Sequence, residues 1–464
     1  MVDNKIVDEL SRYGQLHLLQ FWDKLSSRQQ AALSNQLASI DFMQIKRLFE
    51  GDETQPDWKA MAAMAGPPDA ISLGQSSPRY TKEDAIDAGR WALKSGRIAM
   101  ILVAGGQGTR LGFSHPKGMF PIGPLSNRTL FEMHIDRLRA VMKRYHVSIP
   151  MYVMTSPATD TETRLFLSDH DGFGLASDQL RIFCQGSMPA IDAVTGKVLL
   201  AEQGEVALSP DGHGGLLGAM TKHGCLEDAG DAGIDHFFYA QVDNPMVEIC
   251  DPLLIGYHLL AESEMTTQVV RKAFPLERVG NVVSIEGRTQ IIEYSDLPKD
   301  VAEKTNPDGS LLLWAGNIAV HVFQRKFLES VQNSADGLPF HQAKKLVPFV
   351  DRGGSIVQPN GANAIKFERF VFDLLPMAKR ALVVESDPKE VFAPVKNADG
   401  AATDTPTTVK QAISSLHRGW LKQAGVTVAD HVTVEIHPNW ALDAEDVIQR
   451  VDESFHVVSD SYLQ

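Results

Sequence analysis

Residues 98–119 read Ile-Ala-Met-Ile-Leu-Val-Ala-Gly-Gly-Gln-Gly-Thr-Arg-Leu-Gly-Phe-Ser-His-Pro-Lys-Gly-Met, and this stretch decides the fold class. Ile98 to Ala104 is a short, nearly all-apolar run, which suits a strand buried on both faces. A glycine cluster follows, then the amphipathic segment Thr129 to Arg144. More apolar runs alternate with helical patterns: Met151 to Thr155, Leu180 to Cys184, His236 to Val242 and Thr267 to Val270. Asp251 to Ala261 is predicted helical between the last two. Strand then helix, repeated, predicts right-handed crossovers and a mostly parallel sheet. Ligands of such sheets sit beyond the carboxyl ends of the strands, so the glycine loop is the first candidate site.

Glycines let a ligand approach the backbone closely, and consecutive amides in such a loop can point at phosphate oxygens. Arg110 and Lys117 add two cations, so shape and charge together fit a polyphosphate. Two standard motifs fail on spacing. A dinucleotide fingerprint needs GxGxxG, but Leu111 stands where the third glycine belongs and Gly112 arrives one residue late. A phosphate-binding GK[ST] is absent, because the order is Lys117-Gly118-Met119. The bland alternative is a glycine-rich turn with solvated cations.

Working outward, residues 1–96 read as a helical N-terminal domain. Leu16, Leu18, Leu19, Trp22 and Leu25 crowd one stripe, and Ser27 with Gln30 resembles a capping box. A loop with Pro56, Pro67, Pro68 and Pro78 follows. Residues 97–378 form the predicted central α/β domain, which carries the glycine loop. After about Leu375 the pattern weakens, and 398–408 reads as a linker or flexible loop. Residues 379–464 are predicted to form a small C-terminal domain, where Val432, Val434 and Ile436 alternate with polar residues as along a half-buried strand.

The chain has 464 residues, 44% hydrophobic and 22% charged, which is ample for a large core. A net charge of −14 disfavours a nucleic-acid partner. The three cysteines, Cys184, Cys225 and Cys250, show no CxxC spacing and read as reduced thiols. No run approaches the length of a membrane span, and the first residues lack a basic-then-apolar leader. The expectation is a soluble, cytoplasmic protein with no membrane partner.

The loop string resembles the signature LxxGGxGTRLGxxxPKGM of the UDP-sugar pyrophosphorylases, in the branch that handles N-acetylhexosamines. Further segments resemble that family in order: Gln185-Gly-Ser-Met-Pro189, Ser209-Pro-Asp-Gly-His-Gly-Gly215, Val242-Asp-Asn244, Ile292-Glu-Tyr-Ser295, Ala315-Gly-Asn317, Ile365-Lys-Phe-Glu-Arg-Phe370 and Lys396-Asn-Ala-Asp399. The likeness runs from about residue 16 to 400; the last 55 or so residues match poorly.

The resemblance implies an α/β, Rossmann-like nucleotidyltransferase fold of the GT-A-like kind. It implies a uridylyltransferase in which a sugar 1-phosphate oxygen attacks the α-phosphate of UTP in line and pyrophosphate leaves. No side-chain nucleophile is needed, so catalysis rests on positioning and charge neutralisation. Lys117 is implied at the α-phosphate and Arg110 at the departing pyrophosphate. Asp243 is implied as ligand to Mg2+, with Mn2+ as a substitute; the alternative is an Asp capping the next helix. Gln185 and Gly212 are implied to read uracil, with Ala104, Gly105 and Gly106 finishing the base pocket. Glu293 and Asn317 are implied at the sugar hydroxyls, with Tyr294 beside them and Gly280 as bare backbone. Lys366 and Lys396 are implied to close on the phosphates, and either could instead be a solvated lysine.

One position departs from the branch. His213 stands where the N-acetylhexosamine enzymes usually carry Asn and the glucose-specific and broad-specificity enzymes carry His. The expected sugar is N-acetylglucosamine 1-phosphate, with glucose 1-phosphate or broad tolerance as the alternative. A nucleotide-sugar glycosyltransferase would share the sheet but normally carries Asp-x-Asp, whereas this strand ends Asp243-Asn244-Pro245. A non-catalytic nucleotide-binding protein would have no need to retain both Arg110 and Lys117. Oligomeric state is not legible.

Overall fold

The computed structural model describes residues 2–51, 57–74, 79–332, 337–452 and 454–464; Pro56 and Pro78 of the predicted loop lie outside them. Chain contacts group these residues into two compact units, each discontinuous in sequence. One gathers residues 1–57, 185–218 and 335–373, and the other 58–184, 219–334 and 374–464. The linear cuts at 96 and 378 therefore differ from the spatial grouping.

The larger unit is a mixed α/β body around a ten-stranded sheet. Ile98–Val103 lies between Met151–Thr155 and His236–Gln241, parallel to both, and Leu180–Cys184 extends the sheet in parallel beyond Met151–Thr155. Both faces of these central strands are covered, which is why they read as unbroken apolar runs. The long strand Ala315–Gln324 runs antiparallel between His236–Gln241 and Met265–Arg271, making the sheet mixed. Leu130–Tyr145 packs its apolar side into the main core and opens with a capping box of Thr129 and Glu132. Asp251 caps Pro252–Leu260, with its carboxylate accepting from the Leu253 and Leu254 amides.

The C-terminal stretch folds onto this same unit. The predicted linker 398–408 is a tied turn: the Lys396 and Asn397 amides both donate to the Asp404 carbonyl, and the Thr407 amide donates to Asp399. It runs into the helix Pro406–Gln423, which the sequence did not reveal and whose Val409 and Ile413 enter the main core. Val434–Ile436 pairs in parallel with Ser461–Leu463. The expected alternation fails there, because Glu435 is only 3% exposed. Its carboxylate accepts from the Leu125 and Ser126 amides, each at 2.7 Å, and from the Ser126 hydroxyl at 2.5 Å. Glu435→Ala orphans all three donors, and urea denaturation is expected to show a loss of about 3 kcal/mol. Glu435→Gln, which keeps one acceptor oxygen, is expected to lose less.

The smaller unit packs the helices Asn4–Arg12, Ser27–Ser39 and Phe42–Glu50 with short antiparallel strands, including Ile191–Asp192, His341–Lys345 and Ala364–Glu368. Its core joins Leu33, Ile45 and Leu48 to Ile191, Ile365 and Phe367. The capping box forms one residue earlier than read, between Ser26 and Gln29. The leucine stripe is not a regular helix but two 3-10 turns, Leu16–Leu19 and Trp22–Lys24.

Candidate active site

In the larger unit the glycine loop leaves the sheet at a buried strand end. The Ala104 amide donates to the Met154 carbonyl at 2.8 Å, and the Ser156 hydroxyl donates to the Gly105 carbonyl at 2.7 Å. The loop then doubles back. The Gly108 amide donates to the His115 carbonyl at 2.9 Å, and the Lys117 amide to the Gly106 carbonyl at 3.0 Å. This fold-back returns Lys117 beside the glycines. Gly118 is required by space: a Cβ there would lie 2.2 Å from the Phe131 ring. Gly106 and Arg110 are exposed, and Gly105 is half-buried.

Asp243 follows the neighbouring strand His236–Gln241, whose extension is fixed by the Val242 amide donating to the Val103 carbonyl. Its Oδ2 lies 3.7 Å from the Lys117 Nζ, with the two side chains 17% and 16% exposed. The capping alternative does not hold, because the next helix, Pro252–Leu260, is capped by Asp251. The Asp243 carbonyl accepts from the Val395 amide at 2.8 Å, which places Lys396 one residue from this tip.

Two residues outside the sequence expectations build this corner. Buried Asn244 donates to the Val391 carbonyl and accepts from the Ala393 amide, tying the segment before Lys396 to the strand end. Asp404 holds a left-handed backbone (φ 59°) while its carbonyl takes the Lys396 and Asn397 amides. Burial raises the Asp404 carboxyl above its ordinary range, and the Lys396 charge opposes that rise. Val242-Asp-Asn was the only local signal for Asn244; Asp404 had none.

The expected sugar readers also converge within this unit. Gly280 and Asn317 are register partners on adjacent strands, and Asn281 pairs with Ile292, which precedes Glu293. A Cβ on Gly280 would lie 3.2 Å from the Glu293 Oε1 and 3.7 Å from the Asn317 Cβ. A bulge shapes the corner: Gln268 pairs with Val320 but Val269 with Asn317, leaving Ile318 and Ala319 extra. Ala319 takes φ 56°, and its amide donates to the Asn317 side chain at 3.0 Å. Tyr294 is 49% exposed.

The smaller unit carries the remaining expected residues. Gln185 is buried, and its amide nitrogen donates to the Gly212 carbonyl at 3.2 Å and to Asp211 at 3.3 Å. Gly212 has φ 83°, and a Cβ there would meet the Arg369 carbonyl oxygen at 2.3 Å. The Val371 amide donates to the His213 Nδ1 at 3.1 Å. The imidazole packs against both Phe370 and Phe372, whose own rings stack with centroids 4.9 Å apart. Burial, with His341 nearby, pushes its pKa down to about 4, so the ring is neutral near pH 7. An Nδ1 that accepts fixes the proton on Nε2, which makes Nε2–H the donor of the ring. Lys366 is half-buried on Ala364–Glu368.

Among the described residues no group of three His, Cys, Asp or Glu side chains could hold a metal alone. A carboxylate such as Asp243 fits a cation whose other ligands are substrate phosphates. The three cysteines are free thiols. No described helix is long and apolar enough to cross a membrane.

Comparison with known proteins agrees with this arrangement. Residues 69–456 match the family model described as UTP–glucose-1-phosphate uridylyltransferase. The chain is 37% identical over 435 residues to the human UDP-N-acetylhexosamine pyrophosphorylase-like protein 1, covering 91% of this chain and 86% of that one. It is 34% identical over 454 residues to the Saccharomyces cerevisiae UDP-N-acetylglucosamine pyrophosphorylase, covering 94% of each. It superposes with a TM-score of 0.82, at 26% identity, on the Trypanosoma brucei uridine diphosphate N-acetylglucosamine pyrophosphorylase solved with an inhibitor, covering 96% and 94%. With a loop that folds its lysine back beside the neighbouring strand's acid, and likeness along nearly its whole length, the chain belongs to the UTP–glucose-1-phosphate uridylyltransferase family, the UDP-sugar pyrophosphorylases.

Proposed function

We propose that this nucleotidyltransferase makes UDP-N-acetylglucosamine and pyrophosphate from UTP and N-acetylglucosamine 1-phosphate. The observation that carries the reading is the Lys117–Asp243 corner at the carboxyl end of two parallel strands, 3.7 Å across. The names of relatives 34–37% identical over most of the chain support the sugar. The first step is binding: Ala104, Gly105 and Gly106 finish the base pocket, and the Arg110 guanidinium takes the pyrophosphate end of the triphosphate. Lys117 meets the α-phosphate, where negative charge builds as the attacking and leaving oxygens share phosphorus. Lys396 approaches the phosphates from the turn tied to Asp243. Asp243 would hold Mg2+, which when bound neutralises phosphate charge. Glu293 accepts from sugar hydroxyls, Asn317 and Tyr294 flank them, and bare backbone at Gly280 leaves room. Gln185 and Gly212 read the uracil, and Lys366 contributes phosphate-directed charge. The free thiols suit a reducing compartment such as the cytoplasm.

His213 favours a second reading, in which glucose 1-phosphate is also used, because a neutral Nε2–H donor can serve a plain hydroxyl. A panel of sugar 1-phosphates with UTP and Mg2+, scored by pyrophosphate release, tests both. N-Acetylglucosamine 1-phosphate is expected to give the highest kcat/KM. His213→Asn is expected to raise the preference for it over glucose 1-phosphate about tenfold. Pyrophosphate release with no sugar 1-phosphate of the panel would overturn the reading.

A further inference from the structure

Lys272 is only 5% exposed, on the segment leaving the strand Met265–Arg271. Its ammonium donates to two neutral acceptors, the Asn281 Oδ1 at 2.5 Å and the Pro275 carbonyl at 3.3 Å. Burying an ammonium against neutral acceptors costs free energy that an unbranched, uncharged methionine, one atom shorter, would not. What the ammonium adds is several donors on one atom.

Those donors lead through Asn281 to two of the expected sugar readers, Gly280 and Glu293, while the main chain and stem of Lys272 lie beside the strand of a third, Asn317. Asn281, whose oxygen Lys272 engages, donates through its Nδ2 to the Ile292 carbonyl at 3.3 Å and the Val279 carbonyl at 3.4 Å. Ile292 immediately precedes Glu293, and Val279 immediately precedes Gly280. The Lys272 amide donates to the Trp314 carbonyl at 2.9 Å, and its Cγ lies 3.3 Å from where a Gly316 Cβ would stand, beside Asn317. The loop it spans is closed by a further bond, the Ala273 amide to Glu277 at 2.7 Å. Burial lowers the Lys272 pKa from its ordinary value, with the Glu277 carboxylate opposing that shift.

We propose that Lys272 is a positioning residue for sugar binding: through Asn281 it fixes the backbones that carry Gly280 and Glu293, and through its stem it backs the strand that carries Asn317. The proposal rests on the reading of Gly280, Glu293 and Asn317 as the sugar end of the site. Lys272 itself need touch no substrate.

The test compares Lys272→Met, Asn281→Asp and Glu293→Gln in the full chain, with initial rates of pyrophosphate release at varied UTP and varied N-acetylglucosamine 1-phosphate. Lys272→Met is expected to raise the KM for the sugar 1-phosphate about tenfold while leaving the KM for UTP within about twofold. Its thermal midpoint is expected to fall by no more than about a few degrees, the relief of a buried charge offsetting the acceptor left at Asn281, and a purely structural role would not combine that with a selective KM change. Asn281→Asp keeps the oxygen that Lys272 binds but loses the donors to Val279 and Ile292, and is expected to give the same selective rise. It carries the test if Lys272→Met does not fold. Equal changes in both KM values overturn the proposal. So does an unchanged sugar KM in Lys272→Met and Asn281→Asp when Glu293→Gln raises it. An unchanged sugar KM in Glu293→Gln overturns instead the reading of the sugar site on which the proposal rests.

Discussion

Lys117→Ala is expected to lower kcat for pyrophosphate release by about 10²- to 10³-fold, the usual effect of deleting one transition-state donor. The reaction brings two anions together, so a missing cation acts on the barrier itself. The fold is expected to survive, because the bonds that shape the loop are made by backbone. The Lys117 amide holds the Gly106 carbonyl, and Gly108 holds His115, whatever side chain follows. The Lys117–Asp243 separation of 3.7 Å is longer than a charge-assisted hydrogen bond, so little stability rests on that pair. The check is kcat beside a urea midpoint for parent and variant. Lys117→Arg keeps charge but not a compact ammonium, and partial activity is expected. An alanine variant turning over at the parent rate would refute the assignment.

The central strands were legible because double-sided burial writes itself as an unbroken apolar run, as at Ile98–Val103 and His236–Gln241. The small unit was not. Its strands are two to five residues long and come from two separate stretches, too short for any period to emerge. Residues 398–408 read as a linker from their small, polar composition. What fixes them is tertiary and cross-turn bonding, including the left-handed Asp404.

The site divides along the same line. Glycines and cations packed into residues 104–118 form a local signal. The bulge that turns Asn317, and the ties made by Asn244 and by Lys272 with Asn281, join residues that nothing in local spacing connects. His213 stands out by its identity, but its tautomer is set by the Val371 amide that donates to it, a tertiary contact with no local signal.

Gly256→Ala is expected to destabilise the fold by about 3 kcal/mol, the upper range for overpacking. Glycine within a helix ordinarily costs about 1 kcal/mol relative to alanine, so propensity alone predicts the opposite sign. Contact decides against it. Gly256 lies on Pro252–Leu260 where that helix crosses Lys82–Lys94, and a Cβ would fall 1.6 Å from the Ala85 carbonyl oxygen. The reciprocal position is as tight: a Cβ on Gly89 would fall 1.9 Å from the Pro252 carbonyl oxygen. Neither obstacle is a flexible side-chain end, so the helices themselves must separate, loosening the apolar groups between them. One separation would relieve both clashes, so the Gly89→Ala and Gly256→Ala losses are expected to sum to more than the double variant shows. Gly419 is the contrasting case, inside Pro406–Gln423 with nothing within 4 Å of an added Cβ. Gly419→Ala is therefore expected to stabilise by about 0.5–1 kcal/mol through propensity alone. Urea midpoints for the two single variants should move in opposite directions, and movement in the same direction would mean that the close helix crossing does not govern Gly256.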